Sequence, residues 1–431
     1  MLDIQFIRDN PELVKEKSRQ KGFEADIDKL LGMDKSRRAL TRQIEELRAE
    51  RNAIDAAVKQ SAGPPVAEQI ERGRAVKEEI GRLESELAQT EDSFGQLLKS
   101  VPNIPTDDVP VGDSEEQNVV AKEWGAKPQF DFTPRSHWQI GEQLGLIDKQ
   151  RAAKVTGSRF AYLKGELVRL QLAIMQFTID VLSDQEHLQQ IARGNRLDVS
   201  SKPFTPVLPP ALIRTEVYDA MDRLEPREDR YKIEGEELWL QGSAEHTLGS
   251  MYQNELLEAG DLPIRYIGFL TSFRREAGTY GKDTEGIIRM HQFDKLEMES
   301  FTVAEDGLNE HLFMVAIQEH LMQRLGLPYR VLQKCTADIG KPNARGIDIE
   351  AWLPSQNTYR ETHTADYMTD YQARRLKTRY KTKEAQTRFV HTNDATAFAL
   401  GRTLVAIIEN YQKADGSFAL PEALQTYLGR K

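Results

Sequence analysis

Between residues 27 and 60, apolar side chains return every three or four positions: Leu30, Met33, Leu40, Ile44, Leu47, Ile54 and Val58. Arg37 and Arg51 stand in the two open slots. This spacing predicts one long helix with a coiled-coil seam. The run SAGPP at 61–65 stops it, because neither Pro64 nor Pro65 can continue a helix. The seam resumes at Val76, Ile80, Leu83, Leu87, Phe94, Leu97 and Val101, with Thr90 inside it. Two seams joined by a short turn predict an antiparallel hairpin over about 27–100, roughly 50 Å long at 1.5 Å per residue. Such a hairpin is a dimerisation or spacer coil, or an arm that touches something distant. Charge leans toward the arm: residues 34–60 carry seven Lys/Arg against five Asp/Glu, and 66–100 carry five against eight.

Residues 101–125 are rich in Pro, Asp and Glu and have no period. The stretch 106–130 therefore reads as a linker between an N-terminal domain, 1–105, and a second domain, 131–431. In the second domain, helical stretches such as 164–191 alternate with short β-rich runs: FTPVLPPALI, LPIRYIGFLTSFR, GIIRMHQFDKLEMESFTV, GIDIEAWLP and YQARRLKTRY. Many short strands without regular βαβ alternation predict an α+β domain built on an antiparallel sheet with flanking helices.

The bulk numbers change this picture little. The chain has 431 residues and a net charge of −10, so a polyanionic partner must meet local basic patches. A single cysteine, Cys335, excludes an internal disulfide and a cysteine-rich zinc site. No apolar run approaches a membrane span, and MLDIQFIRDNPELV lacks the apolar core of a signal peptide, so a cytoplasmic location is expected. Neither GxxxxGK[ST] nor a strand-borne GxGxxG is present, so any nucleotide is bound by another device.

Two stretches concentrate chemistry. In residues 273–298, Arg274, Arg275 and Glu276 precede a glycine-rich loop, and a second run follows it. Read as a strand, that run directs Arg289, His291, Phe293, Lys295 and Glu297 to one face and Met290, Gln292, Asp294, Leu296 and Met298 to the other. Arginine suits a phosphate, phenylalanine the flat face of a purine, and glutamate an ammonium or hydroxyl. The competing reading is an edge hairpin bearing surface salt bridges. In residues 359–402, Glu361 stands where a strand is expected to turn toward Thr362 and Thr364, a corner suited to magnesium. Six cations and no acid occupy 374–383. LGRTLVAIIENYQ, 400–412, reads as an amphipathic helix with Arg402 in its first turn, an anion site.

These residues carry a resemblance nearly end to end. The opening MLDIQFIRDNPELV, the hairpin, LIDKQRAAKVTGSRFAYLKG, FTPVLPPALI, FRREAG through MHQFDKLEM, and HTNDATAFALGRTLVAIIENYQ are similar to the seryl-tRNA synthetases. The last three resemble motifs 1, 2 and 3 of class II aminoacyl-tRNA synthetases. The resemblance implies activation of serine with ATP to seryl-adenylate, followed by transfer to serine tRNA, with the selenocysteine acceptor a further candidate. It implies magnesium, a homodimer, and a hairpin that binds tRNA. For ATP it implies Arg274, Arg275, Glu276, Met290, Phe293, Glu361, Thr362, His363, Thr364 and Arg402. Arg274, Arg402 and Glu361 are the implied catalytic groups, with magnesium on Glu361 and Thr364. For serine it implies Ser243, Ala244, Glu245, Arg274, Glu297 and Thr396. Asp394 stands where the family commonly has Asn. A carrier-protein-charging paralogue and a non-catalytic coiled-coil nucleic-acid binder are the rival readings; the hairpin disfavours the first and the pocket residues the second.

Overall fold

The computed structural model describes residues 1–60, 67–277 and 285–429. The expected SAGPP turn, 61–65, and most of the glycine-rich loop after Arg275 lie outside them. The chain divides into two compact units, Met1–Ile104 and Pro105–Lys431.

The first unit has two short helices, α1 (Ile4–Asp9) and α2 (Pro11–Gln20), and two long ones, α3 (Ile27–Gln60) and α4 (Ala67–Ser100). The long pair packs along the expected seam, with Leu40, Ile44 and Leu83 buried together and Leu47 and Leu87 against them. Cross-helix ion pairs Arg48–Glu84 and Arg72–Glu50 fix an antiparallel register. Arg37 fills its seam slot by lying 4.6 Å above the Phe94 ring, so a half-buried side chain sets its charge over a π-face. The seam slips by one residue near the base: Asp34 rather than Met33, and Leu98 rather than Leu97, are buried there. The reason at Asp34 is ionic. Arg8 on α1 reaches it at 2.8 Å, joined by Arg37 and Arg38, so α3 turns that face toward α1.

The second unit is built on an eight-stranded sheet. Numbered in chain order, its strands are β1 (Val119–Trp124), β2 (Thr205–Val207), β3 (Ile264–Phe273), β4 (Gln292–Thr302), β5 (Tyr329–Gln333), β6 (Arg345–Leu353), β7 (Thr358–Thr369) and β8 (His391–Ala399). Their spatial order is β1-β5-β6-β7-β8-β4-β3-β2, antiparallel except for β2 against β3. Helices α5 (His137–Gln143), α6 (Glu166–Ser183), α7 (Gly307–Arg324), α8 (Tyr371–Leu376) and α9 (Leu400–Asn410) belong to the same unit. One face of the sheet, with Leu296, Met298, Ile349, Ala365, Ala395 and Phe398, forms the main core with α6, α7 and α9.

Two expectations are corrected. Residues 106–130 are not a free linker: six of them form β1, paired along β5. An edge strand needs only backbone partners on one side, so its sequence carries no strong period. YQARRL is the helix α8 rather than a strand, and the cations there are structural: Arg374 pairs with Asp370 and the buried Arg375 with Asp222. The expected helix at 400–412 is α9, and every residue from Thr403 to Glu409 in it is buried. Among the described residues, no helix is long and apolar enough to cross a membrane.

The sheet and α7 are tied by a bidentate pair, Arg265 on β3 with Glu310, both bonds 2.6 Å and both side chains almost fully buried. Removing one partner strands the other as a buried charge. E310A should therefore lose about 3–5 kcal/mol of stability, read as a shift in the urea midpoint; a loss below about 1 kcal/mol would mean that water reaches the pair.

Candidate active site

The face of the sheet opposite the core carries the chemistry. On β4, Phe293, Lys295 and Glu297 alternate onto it, while Leu296 and Met298 go to the core. The strand begins at Gln292, later than the sequence pattern suggests, so Arg289 and Met290 reach the same cavity from the preceding loop. His291 instead lies against the Arg274 carbonyl, Nδ1 to O 2.9 Å, and beside Phe160.

Two bulges then break the simple alternation. Between β6 and β7, Ile349 pairs with His363 and Glu350 with Glu361, which leaves Thr362 as an extra residue. Glu361 is thus inside a continuous strand, not at a turn as expected. The bulge brings Glu361 and Thr362 to the cavity side together, with Thr364 following. Between β4 and β8, Leu296 pairs with Phe398 and Glu297 with Thr396, leaving Ala397 as the extra residue. Thr396 and Ala399 therefore both face the cavity.

The cavity holds about 630 Å³ of space open to solvent. It gathers Arg274, Glu276, Met290, Phe293, Glu361, Thr362, Thr364, Thr396 and Arg402, nine of the expected site residues. The Arg274 guanidinium sits 5.3 Å above the Phe293 ring, and its Nε donates to the Gly242 carbonyl at 3.1 Å. Burial, with Arg230 nearby, lowers its pKa below the usual arginine value. Glu276 is paired with Arg289 at 2.7 Å and has a left-handed backbone, φ 52°. Arg402 bonds both the carbonyl and the carboxylate of Glu361, at 3.0 and 2.8 Å. Burial alone would raise the Glu361 pKa, but Arg402, Lys334 and Arg274 outweigh it and hold it below the usual carboxylate range.

Two expected nucleotide residues are directed elsewhere. The His363 ring is buried against Phe398, and burial pulls its pKa down to about 3, so it is a neutral core group. It is the one residue of its run that alternation sends to the core face. Arg275 is exposed and stacks over Tyr231, 5.9 Å from that ring.

The expected serine residues lie behind Lys295. Lys295 makes a close ion pair with Glu297 and donates to Ser243 Oγ at 3.3 Å. Ser243 Oγ is also 3.4 Å from Glu297. This turn reaches the sheet because β3 has glycine at 268, opposite Glu297; a Cβ there would come within 2.6 Å of Leu248 and 3.5 Å of Ala244. Burial raises the Glu297 pKa, against the pull of Lys295. Glu245 makes a close pair with Arg223, which outweighs burial and holds its pKa at about 2. Arg223 also faces Asp394 at 3.7 Å and Asp366 at 3.9 Å.

Sequence reasoning passed over Arg223, Lys334, Asp348 and Glu299. Asp348 faces Thr364 across the β6–β7 pair, and burial raises its pKa to about 7 despite Lys334. Among the described residues, no group of three or more His, Cys, Asp or Glu could hold a metal ion. Oxygen donors at Glu361 and Thr364 nonetheless fit magnesium, which takes few protein ligands and completes its shell with water and phosphate. None of the four had a motif to mark it: strand pairing brings in Asp348 and Glu299, and the acids they face bring in Arg223 and Lys334.

Residues 229–411 match the family model of the tRNA synthetase class II core domain (G, H, P, S and T), and residues 1–105 match that of the seryl-tRNA synthetase N-terminal domain. The serine–tRNA ligase of Thermodesulfovibrio yellowstonii is 39% identical over 436 residues, covering 100% of this chain and 99% of its own. The crystal structure of seryl-tRNA synthetase from Pyrococcus horikoshii complexed with ATP superposes with a TM-score of 0.90 at 38% identity, covering 100% and 99% of the two chains. That of the cytoplasmic serine–tRNA ligase from Naegleria fowleri in complex with AMP gives 0.86 at 28%, covering 100% and 98%.

Glu299 yields a prediction. It is buried, and neither oxygen has a hydrogen-bond partner among the described residues. Burial, then Asp394, Glu245 and Glu297, push its pKa well above the usual range, with Arg223 opposing. A carboxyl raised in the folded state costs stability above its unfolded pKa, and the cost grows with pH until the folded pKa is passed. E299Q removes that titration. Its gain in melting temperature over wild type should be small near about pH 5 and larger at about pH 8; a gain independent of pH would show that Glu299 does not titrate as described.

Proposed function

The chain belongs to the seryl-tRNA synthetase family, and from that membership we infer that it activates serine with ATP and transfers the seryl group to the 3′ end of serine tRNA. The observation that carries this reading is the convergence of Arg274, Phe293, Glu361 and Arg402 on one cavity backed by Ser243, Glu297 and Thr396.

In this reading Phe293 stacks on adenine, the backbone at Met290 and the Glu276 carboxylate flank the base, and Thr362 lines the wall. Arg274 meets the α-phosphate and the serine carboxylate, and Arg402 the γ-phosphate. Glu361 and Thr364 would hold magnesium, which neutralises charge on the β- and γ-phosphates when bound. Ser243, Ala244, Glu245, Glu297 and Thr396 make the serine pocket, with Glu297 facing the hydroxyl. The serine carboxylate oxygen attacks the α-phosphorus, and the bond to pyrophosphate breaks. The terminal ribose hydroxyl of tRNA then attacks the adenylate carbonyl, and AMP leaves. Neither step requires a protein nucleophile; alignment and fixed positive charge lower the barrier. The same reading makes the protein a cytoplasmic homodimer whose N-terminal hairpin binds the tRNA.

Two experiments test it. R274A should lower serine-dependent exchange of pyrophosphate into ATP by ~10²–10³ with the fold intact by circular dichroism; normal exchange would remove Arg274 from the α-phosphate. Deleting residues 34–94 behind a short linker should spare exchange and abolish tRNA charging, because no proposed pocket residue lies there. Normal charging by the truncated chain would reduce the hairpin to a spacer.

A further inference from the structure

The ATP cavity is lined in part by Ile287, Arg289 and Met290, on the chain returning from the motif 2 loop. The ladder of β4 starts at Gln292, and at His291 the return is still bonded to the backbone of Arg274 and Arg159. Further up, at Ile287, it is held by His137, the first residue of α5. His137 is buried, and its Nε2 lies 3.2 Å from the backbone nitrogen of Ile287. Its Nδ1 lies 2.9 Å from Glu409 Oε1, which also accepts from the His137 backbone N–H at 3.0 Å. The other Glu409 oxygen accepts from the Ser355 N–H at 3.2 Å. Glu409 is fully buried on α9, the helix that carries Arg402, seven residues and about two turns beyond it.

The partners settle the protonation pattern. A carboxylate facing three N–H directions can only accept, so Nδ1 carries the proton. The Ile287 N–H can only donate, so Nε2 must offer its lone pair. The neutral Nδ1–H tautomer alone satisfies both ends. The fit is tight on each side of Ile287. Gly286 has φ 67°, and a Cβ there would lie 1.9 Å from His137 Nε2. At the other side, a Cβ at Gly401 would meet the Ile287 carbonyl at 3.3 Å.

We propose that His137 is a positioning residue for adenylate formation: through Glu409 and the Ile287 amide it ties the returning end of motif 2 to the motif 3 helix. It touches neither substrate. It sets where Arg289 and Met290 stand relative to Arg402, and hence the register of the nucleotide site. This rests on reading the cavity as the ATP site. Serine recognition, which draws on Ser243, Glu297 and Thr396, stands outside the linkage.

The test is serine-dependent pyrophosphate exchange by the full-length chain, with KM for ATP and for serine measured separately and melting temperature alongside. H137N keeps a donor for Glu409 but has no acceptor long enough to reach Ile287. G286A instead forces the ring off Ile287 while leaving the Glu409 contact chemically intact. Both should lose about 10–100-fold in kcat/KM for ATP, with KM for serine within about twofold. H137Q, whose amide extends one bond further, should recover most of the loss. The proposal is overturned if H137N or G286A keeps the wild-type kcat/KM for ATP. It is equally overturned if ATP and serine parameters fall together in step with melting temperature, or if H137Q is no better than H137N. Wild-type exchange separates the two levels: without it the enzymatic reading itself fails, whereas normal wild-type exchange with unaffected variants removes only the role of His137.

Discussion

Burying charge is the constraint on which the second unit depends. One face of its sheet carries Glu297, Glu299, Asp366 and Asp394 out of bulk water, with Glu245 packed over them. Left alone, such carboxylates would cost far more than the sheet could offset. Each is therefore handled separately. Glu245 is held ionised by Arg223, and Glu361 by Arg402. Glu299 and Asp394, lacking enough positive charge, are driven toward the neutral form by burial and by their neighbours. The result is a site in which carboxyls held low in pKa and carboxyls pushed high lie side by side, without a metal cluster among the described residues.

The same constraint explains which parts of the site face which way. A guanidinium already bonded to Glu361 is aimed before any ligand arrives, so little reorganisation is left for the reacting complex. Lys295 serves two groups at once, closing on Glu297 and reaching Ser243. Asp394 adds a buried carboxyl 3.7 Å from Arg223, and burial with its acidic neighbours pushes its pKa well above the usual range.

Much of this was legible in the sequence where a period or a motif existed. The hairpin seam is a long repeat, so Leu40, Ile44 and Leu83 fell where spacing put them. The slip at Asp34 was invisible because it is set by Arg8, 26 residues away in a different helix. The strand β1 was hidden by its Pro- and Asp-rich surroundings, and α8 by a length of one and a half turns. In the site, Arg274, Phe293, Glu361 and Arg402 were identified from motif residues and do converge. His363 was implied only by the resemblance, whereas the strand after the bulge sends its ring to the core. His137 and Glu409 were unreadable: 272 residues separate them, and neither has a charge pattern of its own.

The two bulges give the sheet a parity. Upstream of Thr362 and downstream of it, in and out exchange meaning, and Ala397 does the same for β8. Side chains at these positions answer to the size and polarity of the face they occupy. Chain length is not free. A single-residue insertion or deletion anywhere between Glu361 and Asp366, or between Asp394 and Ala399, would transpose acids with core residues along the remainder of the strand. Lineages carrying this architecture can therefore drift in composition here, but gaps in this part of the chain should be confined to the connections between strands.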